Sequence, residues 1–430
     1  MNKNALVLLP VFWPLLAPIS LASLKGYLKS RNISIDTFDL NNLFYNLAGP
    51  DLKKEWLISC NKKIEDEAFG IISKTKEFEK ITDKLANYDT IAMSCYKSNF
   101  NSVLKFSKLL KGKNSKIKII IGGPEITWQY FKHGDSIIDK YSSFVDQIVV
   151  GEGEIPLLNF IQDKSNDTKL VLFNEIKNSS DLPIPDYSGL DLSKYPRKNT
   201  IQLMFSRGCI RHCTFCSEKL LYKNFKTMSI EKMILQIRDL KAEGIKNFVF
   251  NDSMVNADLA AFETLLDEII KNFVSIPWEA QIAVRSDMPI KLFEKMKQSG
   301  CYNLFVGLES GSDSTLKIMN KGFTSNEALE FFKKLKSHDL QFGISMIVGF
   351  PNESEQDFKE TLSFLVNNRS LIKKIEQINP YVYYEGTELD RSFDYKLNSV
   401  SGTRVDELIN TIKANGYTYS KSFINNLVEH

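Results

Sequence analysis

Short apolar runs rich in β-branched residues alternate with helical patterns along the chain, and this alternation restricts the fold more than any other feature. Strands that are separated by helices assemble into parallel sheets covered by those helices. In the first half, strands are predicted at Ala5–Leu9, Ser34–Leu40, Thr90–Cys95, Lys118–Gly122 and Gln147–Gly151. In the second half, they are predicted at Ile201–Phe205, Asn247–Asn251, Trp278–Val284, Tyr302–Glu309, Gln341–Val348 and Gln377–Tyr384. The predicted fold class is therefore α/β, with a doubly wound, Rossmann-like domain followed by a partial (β/α)6 barrel of the TIM type and a short C-terminal tail.

A polar stretch followed by the proline-rich segment Leu182–Tyr187 separates the two series of strands. Proline favours an extended backbone in the residue before it, so this segment is predicted to belong to a linker. We assign residues 1–162 to the Rossmann-like domain, 163–197 to the linker, 198–393 to the barrel and 394–430 to the C-terminal tail.

The charge balance argues against a nucleic-acid partner, because 55 basic and 52 acidic residues leave a net charge of only +3. One uncharged run, Ala5–Leu24, resembles a signal peptide or a membrane span, but Pro10, Pro14 and Pro18 interrupt it. Since proline breaks helices, we interpret this run as a short strand, a loop and the start of a helix. We expect no membrane span and a cytoplasmic location.

Three of the six cysteines, Cys209, Cys213 and Cys216, crowd into one segment directly after the first predicted barrel strand. This position predicts a loop at the carboxyl-terminal mouth of the barrel, where barrel enzymes carry their chemistry. Structural zinc sites usually have four protein ligands, and four-iron clusters are usually held by four cysteines. Three thiolates leave one iron of such a cluster open to a small molecule. A zinc site that lacks one ligand and three buried cysteines are the alternatives.

The Cys-x3-Cys-x2-Cys loop resembles the signature of radical S-adenosylmethionine (SAM) enzymes. The resemblance implies a 4Fe-4S cluster on Cys209, Cys213 and Cys216 whose open iron chelates the amino and carboxylate groups of SAM. It also implies that an electron from the cluster splits SAM into methionine and a 5′-deoxyadenosyl radical. Phe215 matches the aromatic position that packs near the adenine in this family.

Further matches follow along the barrel in the order that the family has them. Asp252 stands where many members have Gly-Gly-Glu, which contacts the SAM amino group; a capping role is the alternative. Arg285 resembles the basic residue near the SAM carboxylate, with a surface ion pair as the alternative. Glu309 lies in a segment similar to the one whose glutamate contacts the ribose hydroxyls, and Ile347–Pro351 resembles the loop beside the adenine.

The N-terminal half resembles the cobalamin-binding domain that precedes the barrel in one large radical SAM class, through Ile121-Gly-Gly-Pro124 and Val150-Gly-Glu-Gly-Glu154. Small residues at strand ends allow a close approach of a ligand to the backbone. The predicted cofactor-binding positions at these ends are Ser94, Gly122, Gly123, Gly151 and Glu152. The Asp-x-His-x-x-Gly motif, whose histidine ligates cobalt, is absent, and His133 is interpreted as a surface residue. We therefore expect cobalamin without a histidine ligand; a degenerate domain that only supports the fold is the alternative.

The combined resemblance implies a cobalamin-dependent methyltransferase acting on an unactivated carbon of a small metabolite or natural-product intermediate. A peptide substrate stays open, and an external reductant such as flavodoxin or ferredoxin is required. The first alternative is radical SAM rearrangement, oxidation or epimerisation without methyl transfer. The second, from another class, is a non-catalytic iron–sulfur protein that transfers electrons.

Overall fold

The computed structural model describes residues 3–58, 60–165, 167–392 and 401–419. The chain divides into two compact units, Met1–Gln202 with Leu220–Lys223, and Leu203–Lys219 with Asn224–His430. The two are called unit 1 and unit 2 below, and each is described by itself. The predicted α/β class is confirmed, because both units are built on parallel sheets.

Unit 1 is built on a six-stranded parallel sheet with the order β2-β1-β3-β4-β5-β6. The strands are β1 Asn4–Leu8, β2 Asp36–Asp39, β3 Thr90–Ser94, β4 Lys118–Gly122, β5 Gln147–Val150 and β6 Leu170–Leu172. The chain passes from β1 to β2 on one side and then to β3 on the other side of β1. A doubly wound sheet binds its ligands at such a reversal, beside the carboxyl ends of the strands.

Helices cover this sheet on both faces, which is why its central strands are continuous apolar runs rather than alternating ones. The helices are α1 Ile19–Lys29, α2 Leu40–Leu47, α3 Pro50–Ile58, α4 Lys62–Ile72, α5 Lys76–Leu85, α6 Phe100–Lys113, α7 Pro124–His133, α8 Ile137–Tyr141 and α9 Glu154–Ile161. Successive residues of β1 enter two different cores, Ala5 and Val7 on one face and Leu6 and Leu8 on the other. The interpretation of Ala5–Leu24 as strand, loop and helix start is confirmed by β1 and α1.

Unit 2 contains a seven-stranded parallel sheet with the order β15-β14-β13-β12-β11-β10-β7, which is that of an open, partial barrel. Its strands are β7 Thr200–Leu203, β10 Asn247–Phe250, β11 Trp278–Ile282, β12 Cys301–Glu309, β13 Phe342–Val348, β14 Lys374–Pro380 and β15 Thr418–Tyr419. A short antiparallel pair, β8 Ser206–Arg207 and β9 Lys226–Thr227, brackets the cysteine loop. The helix α10 Glu218–Leu221 is divided between the units, with its last two residues in unit 1. The other helices are α11 Ile230–Ala242, α12 Leu259–Phe273, α13 Ile290–Ser299, α14 Asp313–Ile318, α15 Ser325–Ser337, α16 Glu355–Asn367, α17 Glu388–Ser392 and α18 Ser401–Ala414.

Two segments differ from the prediction because their strands are too short to give a pattern. The predicted linker, 163–197, contains β6, which pairs with β5 from Ile148 and Leu170 onward. The predicted C-terminal tail, 394–430, contains α18 and β15, and β15 pairs with β14 as a seventh barrel strand. Residues 394–400 and 420–430 of that tail lie outside the described residues. Across the described ranges, no helix is both long enough and apolar enough to cross a bilayer.

Candidate cluster and cofactor sites

The cysteine loop of unit 2 begins where β7 ends, and the buried carboxylate of Asp252 fixes its base. Asp252 follows β10, is only 1% exposed, and accepts a hydrogen bond from the backbone N–H of Phe205 at 3.2 Å. It also accepts hydrogen bonds from the backbone N–H and the hydroxyl of Ser206. Burial raises the pKa of Asp252 to about 6, against these hydrogen bonds, which favour the charged form. Both carboxylate oxygens are therefore used by the loop, and contact of Asp252 with SAM stays a prediction.

The three thiols of the loop are partly buried and close enough to influence one another. The backbone N–H of Arg211 donates to Cys209 Sγ at 3.4 Å, and the N–H of Cys216 donates to Cys213 O at 3.2 Å. Burial raises the pKa of Cys209 and Cys213, and that of Cys216 to about 12. A metal deprotonates a thiol that it binds, so desolvated thiols of this kind suit metal ligation better than free nucleophilic chemistry.

Within the described ranges, no three His, Cys, Asp or Glu side chains are grouped around one metal position. Four-iron clusters are held by cysteine thiolates, and Cys209, Cys213 and Cys216 are the thiols that this loop offers for one.

A second segment, Ile318–Gly322, lies along the cysteine loop and was not identified from the sequence. We call it the clasp segment; it runs from the last residue of α14 toward α15. Four hydrogen bonds join the two, namely Thr214 N–H to Met319 O (3.1 Å), Thr214 Oγ1 to Ile318 O (3.1 Å), Asn320 Nδ2 to His212 O (2.8 Å) and Arg211 Nη1 to Gly322 O (3.2 Å). The clasp segment therefore helps to fix the position of the loop.

Glu309, the last residue of β12, extends into the same region from a β-bulge. The register of β12 on β13 shifts between Gly307 and Glu309, and Glu309 has a φ of +71°. Bulges of this kind redirect a side chain next to functional sites. The hydroxyl of Ser345 donates to Glu309 Oε2 at 2.9 Å, and Lys321 Nζ of the clasp segment lies 3.4 Å from Oε1. The carboxylate is thus held by a hydroxyl on one side and an ammonium on the other.

Phe215 packs into an apolar cluster beside the thiols. Its ring centre lies 5.9 Å from that of Phe350, in the loop after β13, and Phe350 in turn lies 5.2 Å from Tyr381. Met319 of the clasp segment is buried in the same cluster. Aromatic side chains of this kind can stack on a flat ring, and the contact of Phe215 with the adenine stays a prediction.

Arg285 is engaged by protein partners on every side of its guanidinium. Its Nε and Nη2 donate to the two carboxylate oxygens of Asp287 at 2.9 and 2.5 Å. Its Nη1 donates to the carbonyl oxygens of Asn256 and Ala257 at 3.0 and 2.6 Å. Contact of Arg285 with the SAM carboxylate stays a prediction. Arg285 would have to give up some of these hydrogen bonds to make that contact.

The carboxyl edge of the unit 1 sheet carries the other predicted positions. Ser94, Gly122, Gly123 and Gly151 are partly exposed there, so their backbone is accessible. At two of these positions, the surrounding protein leaves no room for a larger residue than glycine. A Cβ on Gly123 (φ +107°) would lie 2.8 Å from Cys95 O, and one on Gly151 (φ +89°) would lie 3.1 Å from Phe173. Glu152 is buried, and its carboxylate accepts a hydrogen bond from the N–H of Ile176 at 2.8 Å.

The reversal of strand order between β1 and β3 is lined by aromatic rings and a hydrogen-bonded loop. The rings of Phe12 and Tyr96 are in contact, with their centres 4.3 Å apart and an angle of 34° between their planes. The amide of Asn99 donates to Leu9 O and Ser94 O, both at 3.2 Å, and so ties the ends of the two strands together. His133 is exposed at the far end of α7, a helix that starts at this edge and runs away from it. The backbone at this edge is thus accessible. His133, the one histidine in the sequence of unit 1, does not lie beside it.

Comparison with protein families assigns both units. A model described as the radical SAM superfamily matches residues 203–365, and one described as the B12 binding domain matches residues 64–161. Residues 203–365 therefore form a radical SAM domain, and the chain is a radical SAM enzyme. The predicted resemblance is thereby confirmed, and a radical SAM domain implies a 4Fe-4S cluster and SAM.

Relatives of this radical SAM enzyme have two kinds of name. An uncharacterized methyltransferase of Pyrococcus horikoshii is 27% identical over 340 residues, which cover 74% of this chain and 73% of the relative. A tRNA-2-methylthio-N(6)-dimethylallyladenosine synthase of Clostridium botulinum is 24% identical over 397 residues, which cover 87% of this chain and 83% of the relative.

Two solved structures share the fold. TsrM of Kitasatospora setae, a radical SAM methyltransferase with tryptophan and a SAM analogue bound, has a TM-score of 0.68 at 13% identity, over 91% of this chain and 75% of its own. The cobalamin-dependent radical SAM enzyme OxsB, with aqua-cobalamin and SAM bound, has a TM-score of 0.67 at 17% identity. This chain is covered completely by OxsB but spans only 58% of it.

Of the predicted barrel residues of this radical SAM enzyme, the structure brings Phe215, Glu309 and the thiols together around Lys321. Lys321 Nζ lies 6.0 Å from the ring centre of Phe215, and its charge partly offsets the effect of burial on the pKa of Cys213. Asp252 lies beneath the loop and Arg285 is held by Asp287, so neither joins that group. The clasp segment could not be recognised from the sequence. In three of its four hydrogen bonds to the loop, the clasp segment contributes a backbone carbonyl, which every residue type carries.

Proposed function

We propose that this radical SAM enzyme is a cobalamin-dependent methyltransferase that acts on an unactivated carbon of a small metabolite or natural-product intermediate. The observation that carries the proposal is the presence, in one chain, of a three-thiolate loop and a B12-binding-type sheet with an accessible carboxyl edge. The names of the Pyrococcus relative and of TsrM support methyl transfer.

Cys209, Cys213 and Cys216 would hold the 4Fe-4S cluster, and Glu309 and Phe215 would bind the ribose and adenine of SAM. Ser94, Gly122, Gly123 and Gly151 would line the cobalamin edge. When bound, the cluster supplies the electron that breaks a carbon–sulfur bond of SAM, and cobalamin supplies a carrier for a methyl group. The protein holds the loop on Asp252 and the clasp segment, so that the thiols keep a fixed geometry during electron transfer. An external reductant such as flavodoxin or ferredoxin would deliver that electron.

Methylthio transfer, suggested by the second kind of relative, finds less support in this chain. Adding a methylthio group needs a sulfur donor besides the methyl group. The remaining cysteines are Cys60, which precedes α4, and Cys95 and Cys301, which are buried at the end of β3 and the start of β12. They stand in separate elements, so they would not hold a second cluster that donates sulfur.

The experiment that tests the proposal is anaerobic reconstitution with iron, sulfide and hydroxocobalamin, followed by gel filtration and a visible spectrum. Cobalamin that co-elutes in an equimolar amount with the chain, beside the cluster absorbance, would support methyl transfer. A cluster without retained cobalamin would favour rearrangement, oxidation or epimerisation.

The same sample then separates an enzyme from an electron-transfer protein. Incubation with SAM and dithionite should release 5′-deoxyadenosine from the enzyme, and the Cys213→Ala variant is the matched control. A cluster that is reduced but leaves SAM intact would contradict every enzymatic alternative.

A further inference from the structure

We propose that Arg404 of α18 is a positioning residue for the nucleoside end of the SAM site, acting through the buried carboxylate of Glu353. The segment Ile347–Pro351, which we call the adenine loop, lies at the end of β13 and resembles the family loop beside the adenine. The assignment therefore rests on SAM being the ligand, as the proposed function requires. It gives a role to α18, which the sequence places in a short C-terminal tail.

The carboxylate of Glu353 holds the adenine loop from inside the protein. Its Oε2 accepts a hydrogen bond from the N–H of Gly349 at 3.2 Å, and the N–H of Glu353 donates to Phe350 O at 3.0 Å. The backbone turns twice through the left-handed region here, at Gly349 (φ +72°) and at Asn352 (φ +64°). This conformation costs free energy at a residue other than glycine, so the surrounding bonds have to maintain it.

Arg404 supplies the charge that balances Glu353. The Glu353 side chain is 2% exposed, and Arg404 Nη1 lies 2.9 Å from its Oε2 and also donates to its backbone O at 3.1 Å. Burial raises the pKa of Glu353, and the Arg404 charge opposes this rise. A buried carboxylate that loses its partner is strongly destabilised. Arg404 therefore favours the charged form of Glu353, which is the stronger acceptor for the N–H of Gly349.

Phe350 connects the adenine loop to the aromatic group expected beside the adenine. Its side chain is buried, with its ring centre 5.9 Å from that of Phe215 and 5.2 Å from that of Tyr381. The two groups bonded to Glu353 are the N–H of Gly349 and the carbonyl of Phe350 itself. Because packed interiors transmit displacements, a shift of this backbone would move the ring of Phe350 against Phe215. Arg404 thus acts on the nucleoside end of the site.

The other end of α18 offers a matched control. In the described ranges, the hydrogen bonds of Arg404 go to Glu353 and Glu355. Arg369, which follows α16, instead donates to the carbonyl oxygens of Asn415 and Gly416, just after α18, at 2.9 and 2.5 Å. Both arginines hold α18, but only Arg404 also holds the residue that supports the adenine loop.

The test measures binding of two ligands to the anaerobically reconstituted enzyme by isothermal titration calorimetry. One ligand is SAM, and the other is 5′-methylthioadenosine, which keeps the adenine and ribose but lacks the amino acid. We expect Arg404→Met to weaken the binding of both ligands by about 10-fold, as for one lost hydrogen bond. Arg404→Lys keeps the charge without the planar fork and should weaken both by about 3-fold. Arg369→Met should change neither affinity.

Hydrogen exchange of the adenine loop in the enzyme without SAM is a second readout. The amides of Gly349 and Glu353 are hydrogen-bonded in the wild type, so they should exchange faster in Arg404→Met and Arg404→Lys. Their exchange in Arg369→Met should be that of the wild type.

A loss of affinity confined to SAM would overturn the assignment, because Arg404 would then act on the amino-acid end. Unchanged affinities in Arg404→Met would overturn it as well. So would equal losses in Arg404→Met and Arg369→Met, which would show only that α18 has to stay docked. If Arg404→Met does not fold, Arg404→Lys carries the same comparison with the same outcomes. A wild-type enzyme that binds neither ligand would overturn the proposed function together with this assignment.

Discussion

Replacing Asp252 by alanine tests whether this carboxylate carries the cysteine loop. The substitution removes an acceptor from two backbone N–H groups and one hydroxyl, all buried. Each lost bond costs about 1 kcal/mol, and a donor left unsatisfied costs more, so the expected loss of unfolding free energy is roughly 3 kcal/mol or more. Because the loop would lose its fixed base, the iron content after reconstitution should also fall well below that of the wild type.

The assay is urea denaturation of the metal-free protein together with iron analysis of the reconstituted protein. Asp258→Ala is the matched control, since Asp258 is an exposed N-cap of α12 that accepts from Ala261 N–H at 3.0 Å. It should cost about 1 kcal/mol and leave the iron content unchanged. An Asp252→Ala protein with the wild-type urea midpoint and full iron would refute the role given to Asp252.

The effect of Asp252 should also depend on pH in a defined direction. Burial raises the pKa of Asp252 from 3.8 to about 6, so the folded state holds this proton more tightly than the unfolded state. Its contribution to stability is fully present below about pH 4 and is lost as the pH rises through about 6. The wild type should therefore exceed Asp252→Ala in stability by roughly 1.4 kcal/mol more at pH 5 than at pH 7.5. A constant difference would contradict the raised pKa.

Three pairs of substitutions give separate checks. Arg404→Met breaks the ion pair with Glu353, whose carboxylate lies 2.9 Å away and whose side chain is 2% exposed. It should lower the free energy of unfolding in urea by about 3 kcal/mol. Glu355→Ala removes the second, exposed carboxylate that pairs with Arg404 and should lower it by less than about 1 kcal/mol. Cys213→Ala should lose most cluster iron and Cys301→Ala should keep it; equal iron in both would contradict the assigned ligands. Ser94→Trp should abolish cobalamin retention on gel filtration by filling the carboxyl edge of the unit 1 sheet, while Lys116→Trp, at the opposite edge before β4, should retain it.

The strands were predictable where they are long and buried. β11, β12 and β13 lie within a few residues of their predicted bounds, because several apolar residues in each face a core. β6 and β15 have only three and two residues, so no pattern marks them, and their position depends on pairing with β5 and β14. The strand predicted at Gln377–Tyr384 starts and ends earlier, at Lys374–Pro380, since the tyrosines that follow lie in an irregular segment before the next turn.

The candidate site was predictable to the extent that side-chain chemistry is local in sequence. The spacing of Cys209, Cys213 and Cys216 alone indicates a three-thiolate loop. The contribution of the clasp segment was not predictable, because it depends on backbone carbonyls that meet a loop about a hundred residues earlier. The same reason applies to Asp252, whose partners at Phe205 and Ser206 are backbone groups brought near by the pairing of β7 with β10.

The most direct test of the central claim is the release of S-adenosylhomocysteine by the reconstituted enzyme, with and without bound cobalamin, in the presence of a strong reductant such as titanium(III) citrate that reduces bound cobalamin to the Co(I) state. This product forms only when SAM gives up its methyl group intact, whereas 5′-deoxyadenosine reports the radical cleavage. Methyl transfer through cobalamin predicts S-adenosylhomocysteine in an amount equal to the bound cobalamin, none without cobalamin, and 5′-deoxyadenosine that depends on Cys213. An enzyme that binds cobalamin and releases 5′-deoxyadenosine but no S-adenosylhomocysteine would contradict the proposed function.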